Sequence, residues 1–186
     1  ELSERIGRRE LLVLAARSAV EASLRREDAR WNEEVLDRIL EVLGRTGPDD
    51  GAVLVELAGS VIADPMGRAK LELVRGDWLA GLGRRLEATE AWMAILDDED
   101  VGSIPVPIDD ELEGAASIAA LSRLQSLMEG DDELKKELER RGGRLVEEAI
   151  RDRASADDLV KLARRYGGTD AALAAGARAV EILRDE

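Results

Sequence analysis

Along most of the chain apolar residues recur every three or four positions with polar residues between them, the spacing of helices that bury one face. From Leu2 to about Glu27 the apolar set is Ile6, Leu11, Leu14, Ala15, Ala19 and Leu24, with no Pro to interrupt it, and a first helix is expected. A second starts at Asp28, a residue suited to an N-cap, repeats Trp31, Val35, Leu36, Ile39, Leu40 and Leu43, and stops at Gly44 before the breaker Thr46-Gly47-Pro48. Asp49 or Asp50 then caps an unusually apolar helix through Val53, Leu54, Val55, Leu57, Ala58, Val61 and Ile62, which Asp64-Pro65 ends. Such a helix is expected to be buried on most sides.

From Met66 the pattern runs through Leu71, Val74, Trp78, Leu82, Leu86, Trp92, Met93 and Leu96, which predicts one long helix. Gly76, Gly81 and Gly83 weaken its middle and leave a bend or break open there. Asp97 to Asp110, with Gly102, Pro105 and Pro107, reads as an irregular loop. Leu112 to Met128, closed by Gly130, and Asp132 to about Arg153, interrupted at Gly142-Gly143, read as an antiparallel pair. Ser155 with Asp158 forms a capping-box-like start for a short helix to Tyr166, and Thr169 caps a last, Ala-rich helix after Gly167-Gly168. There is no fixed-period repeat and no strand alternation of useful length. The expectation is an all-α bundle of about eight helices, with residues 1–153 as one helical domain and 154–186 as a C-terminal helical hairpin packed on it.

Composition changes this picture mainly by exclusion. The 186 residues are 45% hydrophobic and 37% charged, a globular balance, but only 2% aromatic with no Phe, so Leu, Ile, Val, Ala and three Trp must fill the core. With no Cys and no His, disulfides, thiolate chemistry, the commonest metal ligands and the commonest general base are all missing. No enzyme activity, cofactor or metal is therefore expected. A net charge of −14 opposes contact with nucleic acid or anionic lipid. The longest apolar run, Leu11 to Ala16, is too short to span a bilayer, nothing at the N-terminus resembles a signal peptide, and a cytoplasmic location is the expectation.

Two acidic groupings are candidate metal chemistry. Asp97, Asp98, Glu99 and Asp100 are followed by Asp109, Asp110, Glu111 and Glu113 with no basic residue among them, and oxygen clusters hold Mg²⁺ or Ca²⁺. The ligand alternation of a calcium-binding loop is absent, and acids at a helix start are stabilising in themselves, so a solvated loop feeding the next helix is favoured. Glu33, Glu34 and Asp37 form an E-E-x-x-D array like the carboxylates of all-α nucleotide pyrophosphohydrolases, but the next helix supplies only Glu56 before Asp64 where two partner acids are needed. Arg75-Gly76-Asp77 falls inside a predicted helix and reads as chance. The last two helices could be read as a DNA-binding helix-turn-helix, but the second carries only Arg178 and Arg184 as basic residues, and a structural hairpin is favoured.

The order of segments carries a resemblance. The apolar helix ending in Asp64-Pro65, the helix with Arg68, Leu71, Trp78-Leu79, Leu82 and Leu86, the loop through Ile104-Pro105 and Asp109-Asp110, and the helix with Ala116, Ala119-Ala120-Leu121, Leu124 and Leu127 resemble the ligand-binding and dimerisation domain of TetR-family transcriptional regulators over about residues 28–130. The resemblance implies a small apolar effector in a pocket among Leu57, Val61, Trp78, Leu82 and Trp92. It also implies a homodimer through Leu121, Leu124, Met128, Leu138 and Leu145 on the two helices after the loop. The N-terminal DNA-binding domain of that family has no counterpart here. Two other readings stand beside it: a structural or protein-interaction helical protein, natural or engineered, and a carboxylate- and Mg²⁺-dependent enzyme on phosphorylated substrates. Interior glycines argue against idealised design.

Overall fold

The computed structural model describes residues 11, 13–22, 25, 29–62, 64–107 and 113–185. The expected Asp28 cap, the side chain of Trp31 and the acidic residues Asp109, Asp110 and Glu111 lie outside the described residues. The protein is all-α, with ten helices among the described residues and one two-stranded ribbon. Internal contacts divide it into two compact units, Glu1–Ala91 and Trp92–Glu186, so that the division falls within a helix and not at 153/154.

In the first unit, helix α1 (residues 13–22) is followed by α2 (Ala29–Leu43), α3 (Pro48–Val61) and α4 (Pro65–Gly81). Helix α2 buries Val35, Leu36, Ile39, Leu40 and Leu43 on one stripe and packs on both α3 and α4. Pro48 is the first residue of α3 rather than part of a breaker, because Pro has no N–H to waste in a first turn and its φ is already helical. Asp49 and Asp50 sit in that turn and Gly47 precedes it without a side-chain cap. Contrary to expectation, α3 is buried on one side only, through Gly51, Leu54, Ala58 and Val61. Asp64 does more than end a helix. Its carboxylate accepts a 2.7 Å hydrogen bond from the Gly67 N–H and caps α4.

The long helix expected from Met66 is two helices. Helix α4 ends at Leu82, Gly83 takes φ +76, and the N–H groups of Gly83 and Arg84 return to the carbonyls of Ala80 and Leu79. This is the Schellman arrangement, which needs a left-handed residue where only Gly is unstrained. Helix α5 (Arg85–Asp97) then buries Ala88, Ala91, Trp92 and Ile95 on one face and Thr89, Met93 and Leu96 on the next.

In the second unit the segment read as a loop is partly ordered. Asp98 caps a one-turn helix, α6 (Glu99–Gly102), and β1 (Pro105–Pro107) pairs antiparallel with β2 (Glu113–Ala115), with Val106 opposite Gly114 and buried. Residues Glu113 to Ala115 are thus strand, and α7 begins at Ala116 and runs to Glu129. Helix α8 (Asp132–Arg151), capped by Asp131, passes through Gly142-Gly143 without interruption. Gly142 is there for closeness: a Cβ would lie 2.9 Å from both Ala171 Cβ and Tyr166 Cδ1. Ser155 caps α9 (Ala156–Arg165) as the sequence predicts, accepting from the Asp158 N–H, and Thr169 caps α10 (Asp170–Asp185), accepting from the Ala172 N–H. In the first unit α2 packs on α3 and α4; in the second, α8 packs on α7, α9 and α10, α9 packs on α10, and the Asp97–Arg165 ion pair ties the end of α5 to α9.

Candidate functional site

The five residues expected to line a pocket are dispersed in role. In the first unit, Val61 is buried, Leu57 is half-buried, and Leu82 is the exposed C-cap of α4. Trp78 is buried with its indole laid against the Gly51 backbone of α3, so closely that any Cβ at residue 51 would overlap the ring, and its N–H donates to the Thr46 carbonyl at 3.0 Å. The indole therefore fills the space beside α3. Trp92, also buried, belongs to the second unit, and its ring nitrogen has no hydrogen-bond partner among the described residues.

Open apolar space exists elsewhere in the first unit. A cleft of about 350 Å³ lies between α1, contributing Ala15, Ala16 and Ala19, and α2, contributing Val35, Ile39 and Val42, with Leu54 of α3 below and the exposed Glu34 and Arg38 beside it. Small side chains on α1 opposite branched ones on α2 leave the gap. The alanines were visible in the sequence as a run at helical spacing, but a run of Ala equally signals close packing.

The E-E-x-x-D array is drawn into an ion pair. Lys70 of α4 lies 3.0 Å from Asp37 Oδ1 and 3.4 Å from Glu33 Oε1 of α2. Partial burial works against the lysine's charge, but the hydrogen bonds and charges of Asp37 and Glu33 outweigh it and hold its pKa above the ordinary value. Two of the three carboxylates thus tie α2 to α4. In the acidic segment, Asp98 spends its carboxylate on the Asp100 and Val101 N–H groups, and Asp97 pairs with Arg165 of α9 at 2.8 Å. Burial raises the Asp97 pKa, with the Arg165 charge opposing it. No three His, Cys, Asp or Glu side chains gather as a metal site among the described residues.

The residues expected on a dimer face mostly serve the second unit's own interior. Leu124, Met128 and Leu138 are buried, and Leu121 and Leu145 are half-buried. Leu121 and Met128 abut the α9–α10 turn, where Cβ atoms at Gly167 and Gly168 would meet Leu121 Cδ1 at 2.5 Å and Met128 Cε at 3.2 Å.

The last two helices are docked as a hairpin on α8. Val146, Ala171 and Ala175 form one buried cluster with Leu162 and Ala163; Ala156, Leu159 and Ala179 form another with Ala149, Val160 and Ile182. Glu139 of α8 accepts from the Asp170 N–H at 2.7 Å and the Ala171 N–H at 3.2 Å, holding the start of α10. The outward side of α10 presents Leu173, Val180 and Leu183, 73%, 58% and 58% exposed. A base-reading helix needs polar reach on that side, and this one is apolar. Apolar residues on two faces of α10 blur a single amphipathic stripe, so the sequence pattern does not single out this side.

Comparison with protein-family models, with curated proteins and with solved structures finds no match for this chain. What the fold itself defines is an all-α protein, with no helix among the described residues long and apolar enough to cross a membrane.

Proposed function

We propose that the protein is a non-enzymatic interaction module that offers an apolar helix face to a partner. The observation that carries this is α10. Its inner face is locked to α8 and α9 by two alanine-rich clusters and the Glu139 cap, while its outer face leaves three large aliphatic side chains more than half exposed. The carboxylates considered as metal ligands support the same reading, since Glu33, Asp37, Asp97 and Asp98 are occupied by Lys70, by Arg165 and by helix N–H groups.

A second reading keeps the small apolar effector, and with it the TetR-like regulator and its homodimer. The apolar cleft of α1, α2 and α3 favours it, because a concave apolar space with one or two charged side chains beside it suits a small ligand.

Two screens on the full chain separate them. In one, arrayed amphipathic helical peptides are probed for binding; in the other, apolar small molecules are scored by the rise in melting temperature that a ligand of the folded state produces. The interaction module binds peptides and is not stabilised by the small molecules. Stabilisation by a small molecule that Ala19→Trp abolishes, with no peptide captured, would overturn it in favour of the effector reading.

A further inference from the structure

The inference concerns which partner the outer face of α10 takes, and it rests on the interaction-module reading above. Leu173, at 73%, is the most exposed large apolar side chain among the described residues, and it does not stand alone. Asp170, Leu173, Ala177, Val180 and Arg184 follow one another at intervals of three, four, three and four residues, the spacing that keeps side chains on one seam between two helices. Leu183 and Gly176 flank that seam on one side. On the other, Arg178 and Glu181 are paired with each other at 2.8 Å, so their charges are already satisfied.

The seam is complementary to itself when reversed. Its centre is small, Gly176 and Ala177, and its shoulders are large, Leu173 and Val180, so two such helices can approach closely at the middle and interdigitate on either side. Its ends carry opposite charge, Asp170 at the N-terminal end and Arg184 at the C-terminal end, both exposed. A two-fold axis near Ala177 brings Asp170 of each copy within one turn of Arg184 of the other, whereas a parallel pairing sets like against like. Antiparallel helices also oppose their macrodipoles favourably. The face is convex, which does not suit a small molecule, and a chain of net charge −14 does not suit nucleic acid.

We propose that the outer face of α10 is a homodimerisation surface on which a second copy of this chain lays its own α10 antiparallel across Ala177. The contact is isologous, so each substitution acts twice. One pair of helices is a small interface, and the dissociation constant is expected on the order of micromolar.

The test is sedimentation velocity of the full chain over a concentration series, with circular dichroism to verify that each variant stays folded. Val180→Glu points into the seam at an exposed position and is expected to weaken the dimer at least tenfold while leaving the helix content unchanged. Asp170→Arg and Arg184→Asp each set like charges against each other in a homodimer, and each is expected to weaken it. Mixed in equal amounts, the two variants restore both opposite-charge pairs, and a heterodimer as strong as the parent should form. A wild-type chain that remains monomeric throughout overturns the proposal, as does a dimer indifferent to Val180→Glu or a mixture no stronger than its parts. If the chain is monomeric yet still captures helical peptides through this face, the second copy is refuted and the interaction module stands. If it is monomeric and captures none, both fall.

Discussion

Replacing Gly51 by Ala adds one methyl group at the point where the Trp78 indole lies against the α3 backbone, and the ring must move to admit it. Two effects of opposite sign follow. Removing a glycine from a helix favours the folded state by about 0.8–1 kcal/mol through the unfolded chain. Forcing a methyl group into a filled contact costs about 1–3 kcal/mol, and here the displaced ring also strains its 3.0 Å hydrogen bond to the Thr46 carbonyl. The second effect wins, for a net loss of up to about 2 kcal/mol. Gly59 supplies the internal control, because it lies in the same helix with no atom within 4 Å of its hypothetical Cβ. There only the first effect operates, and Gly59→Ala is expected to stabilise by up to about 1 kcal/mol. Urea unfolding followed by far-ultraviolet circular dichroism reads both, and the two variants should straddle the parent midpoint with unchanged slope. The Trp78 indole N–H resonance should shift in Gly51→Ala and stay in place in Gly59→Ala. If Gly51→Ala proves as stable as Gly59→Ala, the indole does not lie where it is described, and the claim that Trp78 fills the space beside α3 fails with it.

Three further outcomes are expected. Arg153 sits at φ +56 after α8, the left-handed position that closes a Schellman turn, with the Ala154 N–H returning to the Ala149 carbonyl; Arg153→Gly should raise stability by about 1 kcal/mol, measured as an increased urea midpoint. Asp64→Ala removes the cap of α4 and should cost about 1 kcal/mol, with faster amide exchange at Gly67 as the local signature. Glu137 is held down to a pKa of about 2 by hydrogen bonds from Arg140 and then Arg141. A depressed carboxylate stabilises the fold above its unfolded pKa and loses that contribution as pH falls through the folded value. The stability gap between the parent and Glu137→Gln should therefore be full at pH 7 and narrow below pH 5, and a Glu137 carboxyl resonance titrating near its unperturbed value would refute the pairing.

The helices were legible where the chain states its own ends. Ser155 and Thr169 cap as their hydroxyls dictate, and Gly83 breaks the long apolar pattern because only a residue tolerant of positive φ closes that turn. Pro48 and Gly142 misled for a shared reason, that both residues punctuate in one setting and belong to helices in another. Pro48 fits a first turn, and Gly142 is kept by the approach of Tyr166 and Ala171, side chains more than twenty positions later that no local pattern reveals. The three-residue strands 105–107 and 113–115 are too short for alternation to register. The candidate site was less legible still. The resemblance makes Trp78 a pocket wall, and only the backbone path of α3 across its ring makes it a filler. The E-E-x-x-D array lacks the partner acids of a metal site, but the ion pair it makes instead is not visible in sequence because its countercharge, Lys70, lies on another helix.

Glu139 carries a lesson about where the molecule can be cut. Its carboxylate holds the first two N–H groups of α10 from 31 and 32 residues away, across the whole of α9. A fragment starting at residue 154 would contain both helices of the terminal hairpin and every hydrogen bond that looks local in sequence. It would still leave the head of α10 uncovered, along with the apolar sides that Val146 and Ala149 close. A portable piece of this end of the protein therefore needs α8, and also α7, whose Leu121 and Met128 abut the α9–α10 turn, so anyone grafting α10 as a binding element must bring both with it.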